Sequence, residues 1–406
     1  MSSSQNQTGP KIAIIGGGPV SLTLANILQN NSIPFTVYEA SSSFRTSGGT
    51  LDLHPESGQL ALREAGLHDE FKKYARPEGD ALKLLDIFGK LHWDENTVDK
   101  QDTKTGEEYQ GRPEIDRSKL MELLFQNLNK DNIKFGKKLQ EVLPNSTSSD
   151  AAPTYDLHFA DSTTIGPFNA VIGGEGAWSR VRSLLTPVRP QYSGISTIEI
   201  WVNDLNANTW LSNFVGSGSC FGFGEGCAIQ CQRQGDGQLR TYASLRVPEN
   251  FFETSGIDWS KGVEARKEYL EKFFPPGLGE DLKRVVLETG DEVTPRKLYE
   301  LPVGFRWPSL PGVTLIGDAA HLMTPFAGVG VNVGMTDSLV LGKEIIAAWN
   351  GEKRLDEALK AYEEEMWPRA EVFMKKTMKG KISHFSEHGA EGLADMLKAH
   401  HYGENK

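Results

Sequence analysis

The segment KIAIIGGGPVSLTLANILQNNSIPFTVYE, residues 11–39, reads as strand, turn, helix and second strand. Lys11 to Ile15 is an apolar, β-rich run that Gly16-Gly17-Gly18-Pro19 breaks at once. Val20, Leu24, Ile27 and Leu28 then recur at helical spacing, and Phe35 to Tyr38 forms a strand ending in Glu39. A βαβ unit of this kind implies a parallel sheet. Within it, Gly16-x-Gly18-x-x-Ser21 sits where a dinucleotide fingerprint belongs. Gly16 permits the tight turn, and Gly18 lets backbone approach a pyrophosphate lying on the helix N-terminus that begins at Pro19 and Val20. Ser21 stands where Gly or Ala is usual, which predicts slightly looser helix–strand packing. Glu39 falls about 20 residues on, where a carboxylate binds ribose hydroxyls. The alternative is a Rossmann-like turn without a ligand.

Working outward, Ser41 to Thr50 reads as loop, Ser57 to Gly66 as a helix with a Gly cap, and Asp80 to Trp93 as strands. Asp116 is expected to cap a helix through about Leu128, followed by a strand near Ile133 to Phe135. Asn145 to Pro153 is a polar connector, and strands follow at Tyr155 to Phe159 and Ala170 to Gly173. From about Arg189 to Arg246, alternating runs separated by Gly-dense turns read as a mostly antiparallel sheet with one ligand-facing side. A helix near Val263 to Phe274, a strand at Val313 to Ile316 and a helix after Gly330 come next. A charged C-terminal helix starts at Asp356, with a break at Pro368.

Two further motifs carry chemistry. Leu315 to His321 puts Asp318 just past a strand, and Pro325-Phe326-Ala327-Gly328-Val329-Gly330-Val331-Asn332 follows. The carboxylate suits a ribityl hydroxyl, and the turn at Gly328 and Gly330 exposes a helix N-terminus that stabilises negative charge on a reduced isoalloxazine. A nicotinamide dehydrogenase needs neither, so the pair points to FAD. Val171 to Arg182 adds another strand-to-turn break, with Gly174, Glu175, Arg180 and Arg182.

The chain has 406 residues, enough for two domains, and its net charge of -11 argues against nucleic acid. No apolar run approaches the roughly 20 residues of a membrane helix, and the N-terminus lacks signal-peptide character. Cys220, Cys227 and Cys231 lack CxxC pairing or a nearby His, so they read as free thiols, with no metal, in a cytoplasmic protein.

Together the three motifs resemble the fingerprints of class A flavoprotein monooxygenases, the para-hydroxybenzoate hydroxylase-like group. Gly48 to His54 and the GDAAHLM-PFAG segment look most like the tetracycline-inactivating members. The resemblance runs from Lys11 to the C-terminal helix. It implies non-covalent FAD, held by Gly16, Gly18, Pro19, Val20, Glu39, Ala40, Arg45, Gly49, Asp52, Arg117, Gly174, Glu175, Asp318, Pro325, Gly328, Val329, Gly330, Val331 and Asn332. It also implies NADPH or NADH as transient electron donor without a separate reductase, and oxygen transfer through a C4a-hydroperoxyflavin to an aromatic or polycyclic small molecule. Several positions depart from the group: Glu175 replaces Asp, Ala40 replaces a basic residue, Val329 a polar one and Thr324 a proline. No catalytic acid–base pair is required, and His321 reads as a structural turn residue, with His54 ambiguous. Glu199, Cys220, Arg240, Pro325 and Phe326 are the expected substrate neighbours, Arg240 being weighed against a plain surface position.

The expected fold is α/β: a Rossmann-like FAD domain with a parallel sheet, a mostly antiparallel substrate domain and a C-terminal helix. The FAD domain is assigned residues 11–75, 105–185 and 296–350, and the substrate domain 76–104 and 186–295. Residues 351–406 form the bracing helix, and 1–10 a disordered leader. A flavin dehydrogenase or cyclase without oxygen transfer, and a non-catalytic redox sensor, stay open.

Overall fold

The computed structural model describes residues 9–45, 48–97, 111–145, 152–288, 290 and 292–403. Most of the expected leader, part of the 145–153 connector and the side chains of His400 and His401 lie outside the described residues. Strand Ile12–Ile15 is the middle of a five-stranded parallel sheet, ordered Val313–Leu315, Ala170–Gly173, Ile12–Ile15, Phe35–Tyr38, Ile133–Lys134. All of its Ile12–Ile15 residues are buried, because helices cover the sheet. Helices Pro19–Asn30 and Gly330–Trp349 pack closely, since a Cβ on Gly342 would stand 2.8 Å from Ile27 and one on Gly334 would stand 2.5 Å from Val20. Ser338, between them, donates to Val20 O at 2.7 Å, so Gly334, Ser338 and Gly342 form the interhelical seam.

The second sheet has seven strands, ordered Val293–Glu300, Gln191–Val202, Leu239–Arg246, Cys227–Arg233, Ser219–Gly224, Leu82–Asp86, Leu91–Asp94. Only the Ser219–Gly224 and Leu82–Asp86 pair is parallel. Strand Val293–Glu300 carries this sheet beyond the expected boundary at 295. One face buries Ile198, Ile200, Cys231 and Ala243 beneath helices Val263–Phe273 and Glu280–Leu287. The register pairs Glu199 with Tyr242, and Trp201 with Arg240, which in turn pairs with Gln232. Side chains alternate along each strand, so these five present themselves together on the opposite face.

Two local expectations are corrected. Asp116 does precede helix Arg117–Gln126, yet its side chain caps nothing. It accepts instead from Arg76 Nη2 at 3.0 Å and from the Gly235 amide at 2.9 Å, tying the Arg117 helix start to a turn of the second sheet. The C-terminal helix does not break at Pro368 but runs from Leu355 to His384. A proline in a helix interior costs about 3 kcal/mol. Here apolar anchors continue on both sides of it, with Leu359, Tyr362 and Met366 before and Ala370 and Met374 after, all buried, and tertiary packing outweighs the local cost. A further helix, Gly389–Gly403, follows and buries Ala390 and Ala394 against Leu84, Trp93 and Phe223 of the second sheet.

Candidate flavin and substrate groove

A groove of about 1270 Å3 runs between the two sheets. Its first end is built by the Gly-rich turn. Gly16 has φ +95°, and a Cβ there would stand 2.6 Å from the Gly174 carbonyl, so only glycine fits. Around Gly18 there is open space. Ser21 is fully buried and its hydroxyl donates to Gly174 O at 3.4 Å, so the looser packing expected of it does not occur. Glu39 accepts from the Gly17 amide at 2.7 Å and the Ser41 amide at 2.8 Å, which fixes its carboxylate beside the turn. Ala40 also lines this end, where Lys137 and Lys138 supply positive charge from elsewhere in the chain.

The middle of the groove is lined by Gly48–Asp52, Arg117, Gly174–Gly176, Asp318, Pro325 and Gly328–Val331. Asp318 is open to the groove but enclosed by protein on its other sides. That desolvation pushes its carboxyl up, while His321 and Arg117 pull it down. Burial likewise lowers Arg117, and Asp318 opposes it. Gly328 turns with φ +65°, and helix Gly330–Trp349 begins behind it with no side-chain cap and no acidic residue in its first turn.

Glu175 explains how the longer acidic arm is accommodated. Its Oε1 accepts from the Arg180 and Val181 amides at 2.8 and 2.9 Å, capping the short helix after it, while Oε2 is buried without a hydrogen bond. Burial raises this carboxyl, and the amides oppose the shift. Arg182 is buried and donates to the carbonyls of Ala319, at 3.0 Å, and Ala177, latching this turn to the Asp318 segment.

Four expected residues are not groove-lining. Asn332 is 2% exposed and its side chain is a lock: Oδ1 accepts from the His54 amide at 2.9 Å, and Nδ2 donates to Asp52 O at 2.7 Å. It positions the Asp52–His54 loop. Arg45 is exposed and outside the groove lining. Phe326 turns away, 5.3 Å edge-on to Phe385. Cys220 pairs with Cys231 in register and is buried in the core face of the second sheet, on the wrong side for substrate. Burial raises the Cys227 and Cys231 thiols to about 12. Among the described residues no group of three or more His, Cys, Asp or Glu gathers as a metal site.

His321 is tied into a buried ion cluster. It is buried, with Nε2 2.7 Å from Asp337, which also accepts from the Gly317 amide at 2.7 Å and from Arg369 at 3.1 Å. His54 Nε2 lies 3.0 Å from Asp52.

The far end of the groove belongs to the second sheet. Arg240 is no surface residue: its guanidinium lies 4.7 and 5.1 Å from the Trp201 and Tyr242 rings, and a Cβ on Gly49 would stand 2.8 Å from its Nη1. Its Nε donates to Glu199 Oε1 at 2.7 Å, and Trp201 Nε1 donates to the same oxygen at 2.8 Å. Arg296 pairs with the other oxygen. Burial would raise Glu199, but Arg240 and then Arg296 outweigh it and hold the carboxyl low. Two cations against one carboxylate leave this end net positive. Trp201, Gln232, Tyr242 and Arg296 were not anticipated; strand alternation through Glu199 and Arg240 would have found Trp201 and Tyr242, whereas Gln232 needs the cross-strand register.

An FAD fits this frame. Two uncapped helix N-termini, at Pro19 and Gly330, open on one groove and offer backbone N–H groups to anionic portions of a ligand. Comparison with known proteins agrees. A family model described as FAD binding domain matches residues 10–270 and 306–377. Monooxygenase penA of Penicillium thymicola is 30% identical over 96% of this chain and 98% of its own length. Monooxygenase asqM of Emericella nidulans is 29% identical, covering 96% and 99%. The Klebsiella pneumoniae HpxO structure complexed with FAD and uric acid has a TM-score of 0.74 at 19% identity, covering 97% of this chain and 93% of that one. Among the described residues no helix is long and apolar enough to cross a membrane. The chain belongs to the FAD binding domain family, and it is an FAD-dependent monooxygenase.

Proposed function

We infer that the enzyme oxygenates an electron-rich aromatic or polycyclic small molecule bearing an ionised hydroxyl, enol or carboxyl group. The observation that carries this reading is the net positive, aromatic-walled end of the groove, where Arg240 lies between Trp201 and Tyr242. A guanidinium in a desolvated site binds an oxyanion with paired hydrogen bonds, and the rings pack a flat substrate. The uric acid named with HpxO is a flat, acidic ring system of that description.

We assign the remaining residues the following roles. Gly16, Gly18, Pro19 and Val20 hold the pyrophosphate, Glu39 the adenosine ribose, and Asp318 with Arg117 the ribityl chain. Gly49, Asp52, Pro325 and the backbone of Gly328 to Val331 hold the ring system. Bound FAD, reduced by NAD(P)H, supplies the activation of O2 for transfer to a ring carbon. The protein orients the ring against Arg240 and excludes water, with Glu199 holding the guanidinium in place. We place the enzyme in the cytoplasm, working without a separate reductase and with NADPH as the favoured donor.

The test is anaerobic mixing of the FAD-loaded protein with NADPH or NADH, followed by oxygen uptake with a panel of phenols and enols. Flavin bleaching without any added protein is expected, with 18O from O2 appearing in one product class. Bleaching that requires a reductase, or reduction without oxygen incorporation into any acidic aromatic, would overturn the reading.

A further inference from the structure

A second cavity, of about 250 Å3, lies between the segment from Glu300 to Val303, the Leu322–Met323 segment and the Leu355–His384 helix. Leu301, Pro302, Leu322 and Met374 give it apolar walls. Its outer rim is Val303 and Met378, which are 36% and 40% exposed. Two of its polar neighbours are already committed. Glu300 is paired with Lys381 at 2.5 Å, and the Thr377 hydroxyl donates to the Met323 sulfur at 3.6 Å. An apolar cavity of about 150 Å3 stays dry and takes up benzene, so this one has room for a ring or a short alkyl chain.

The cavity adjoins the catalytic groove, because Met323 lines both. On one side Met323 borders the groove next to Thr324 and Pro325. On the other it packs against the small cluster of Leu301, Leu322 and Met374. The partition at that point is therefore a half-buried, unbranched thioether, the side chain that repacks most readily.

We propose that this cavity is an apolar subsite of the groove, joined to it by rotation of Met323, which takes an alkyl or second-ring extension of the substrate. The proposal rests on the groove being an aromatic-substrate site. It makes the enzyme selective for aromatics with an apolar arm over compact ones.

The FAD-loaded enzyme is titrated with phenol and with 4-ethyl-, 4-butyl- and 4-hexylphenol, following perturbation of the flavin absorbance. Burial of each added methylene is expected to tighten wild-type binding about fourfold until the cavity fills. Met378→Trp and Val303→Phe fill the cavity from its exposed rim. They are expected to bind phenol as the wild type does and to lose the chain-length gain. Met323→Ala, which removes the partition, is expected to raise the ratio of hexylphenol to phenol affinity. A chain-length gain absent in the wild type, or equal in wild type and all three variants, overturns the subsite while leaving the aromatic reading intact. If neither phenol nor the anionic salicylate perturbs a flavin band in any protein, the aromatic reading fails and the subsite falls with it.

Discussion

Replacing Arg240 by alanine removes three things at once: a bond to Glu199 at 2.7 Å, packing between the Trp201 and Tyr242 rings, and the cation proposed to meet substrate. Breaking a buried ion pair costs about 3–5 kcal/mol. Glu199, 1% exposed, keeps Trp201 Nε1 and Arg296 as partners, so the loss should fall near the low end, about 3 kcal/mol, in urea unfolding. Losing a charge-assisted bond to an anionic ligand costs about 1.5–3 kcal/mol, or roughly 10- to 150-fold in affinity. Salicylate, titrated by flavin perturbation, is a suitable anionic aromatic probe. The double variant Arg240→Ala/Glu199→Gln separates the two effects. It removes the charge of the buried carboxylate that has lost one of its two cations, and should recover much of the stability, but none of the salicylate affinity. The pH dependence supplies an independent check. Arg240 helps hold the Glu199 carboxyl below its ordinary value, so its stabilisation is present above that value and lost as pH falls through the lowered one. The stability gap between wild type and Arg240→Ala should therefore narrow on acidification. Salicylate affinity that survives in both variants while stability drops would show Arg240 to be a strut and not an anchor.

Asp318→Ala should weaken FAD binding by about 1.5–3 kcal/mol, read as flavin released on dilution, and unchanged occupancy would move the ribityl ligand elsewhere. Asn332→Ala strands the buried His54 amide and Asp52 carbonyl, and should cost about 2–3 kcal/mol of stability with a looser flavin environment in circular dichroism. For His321, burial lowers the imidazole pKa but Asp337 more than offsets it, so the folded value is raised. Its stabilisation is complete below the ordinary histidine value and is lost as pH rises through the raised one. Melting temperature should accordingly fall more steeply on the alkaline side in wild type than in His321→Gln, and parallel profiles would remove the histidine from that role.

Local sequence was enough for the parallel half of the molecule. The strand, Gly16–Gly18 turn, helix and Glu39 form a unit whose geometry is set by neighbouring residues, and each element appeared where periodicity placed it. Asp318 and the Gly328–Gly330 turn were legible for the same reason: backbone conformation and helix start are short-range properties. What tertiary structure alone decided was where side chains of equal local character end up. Cys220 and Arg240 both lie on alternating strands, and only cross-strand register sends one into the core and the other into the groove. Pro368 reads locally as a breaker, yet anchors on both sides of it hold the helix straight through. Asn332 and Asp116 looked like ligand and cap, but partners 274 to 280 residues away, and 40 and 119 residues away, claim their polar atoms. The side cavity behind Met323 is the same kind of fact, because a void between three distant segments belongs to none of them singly.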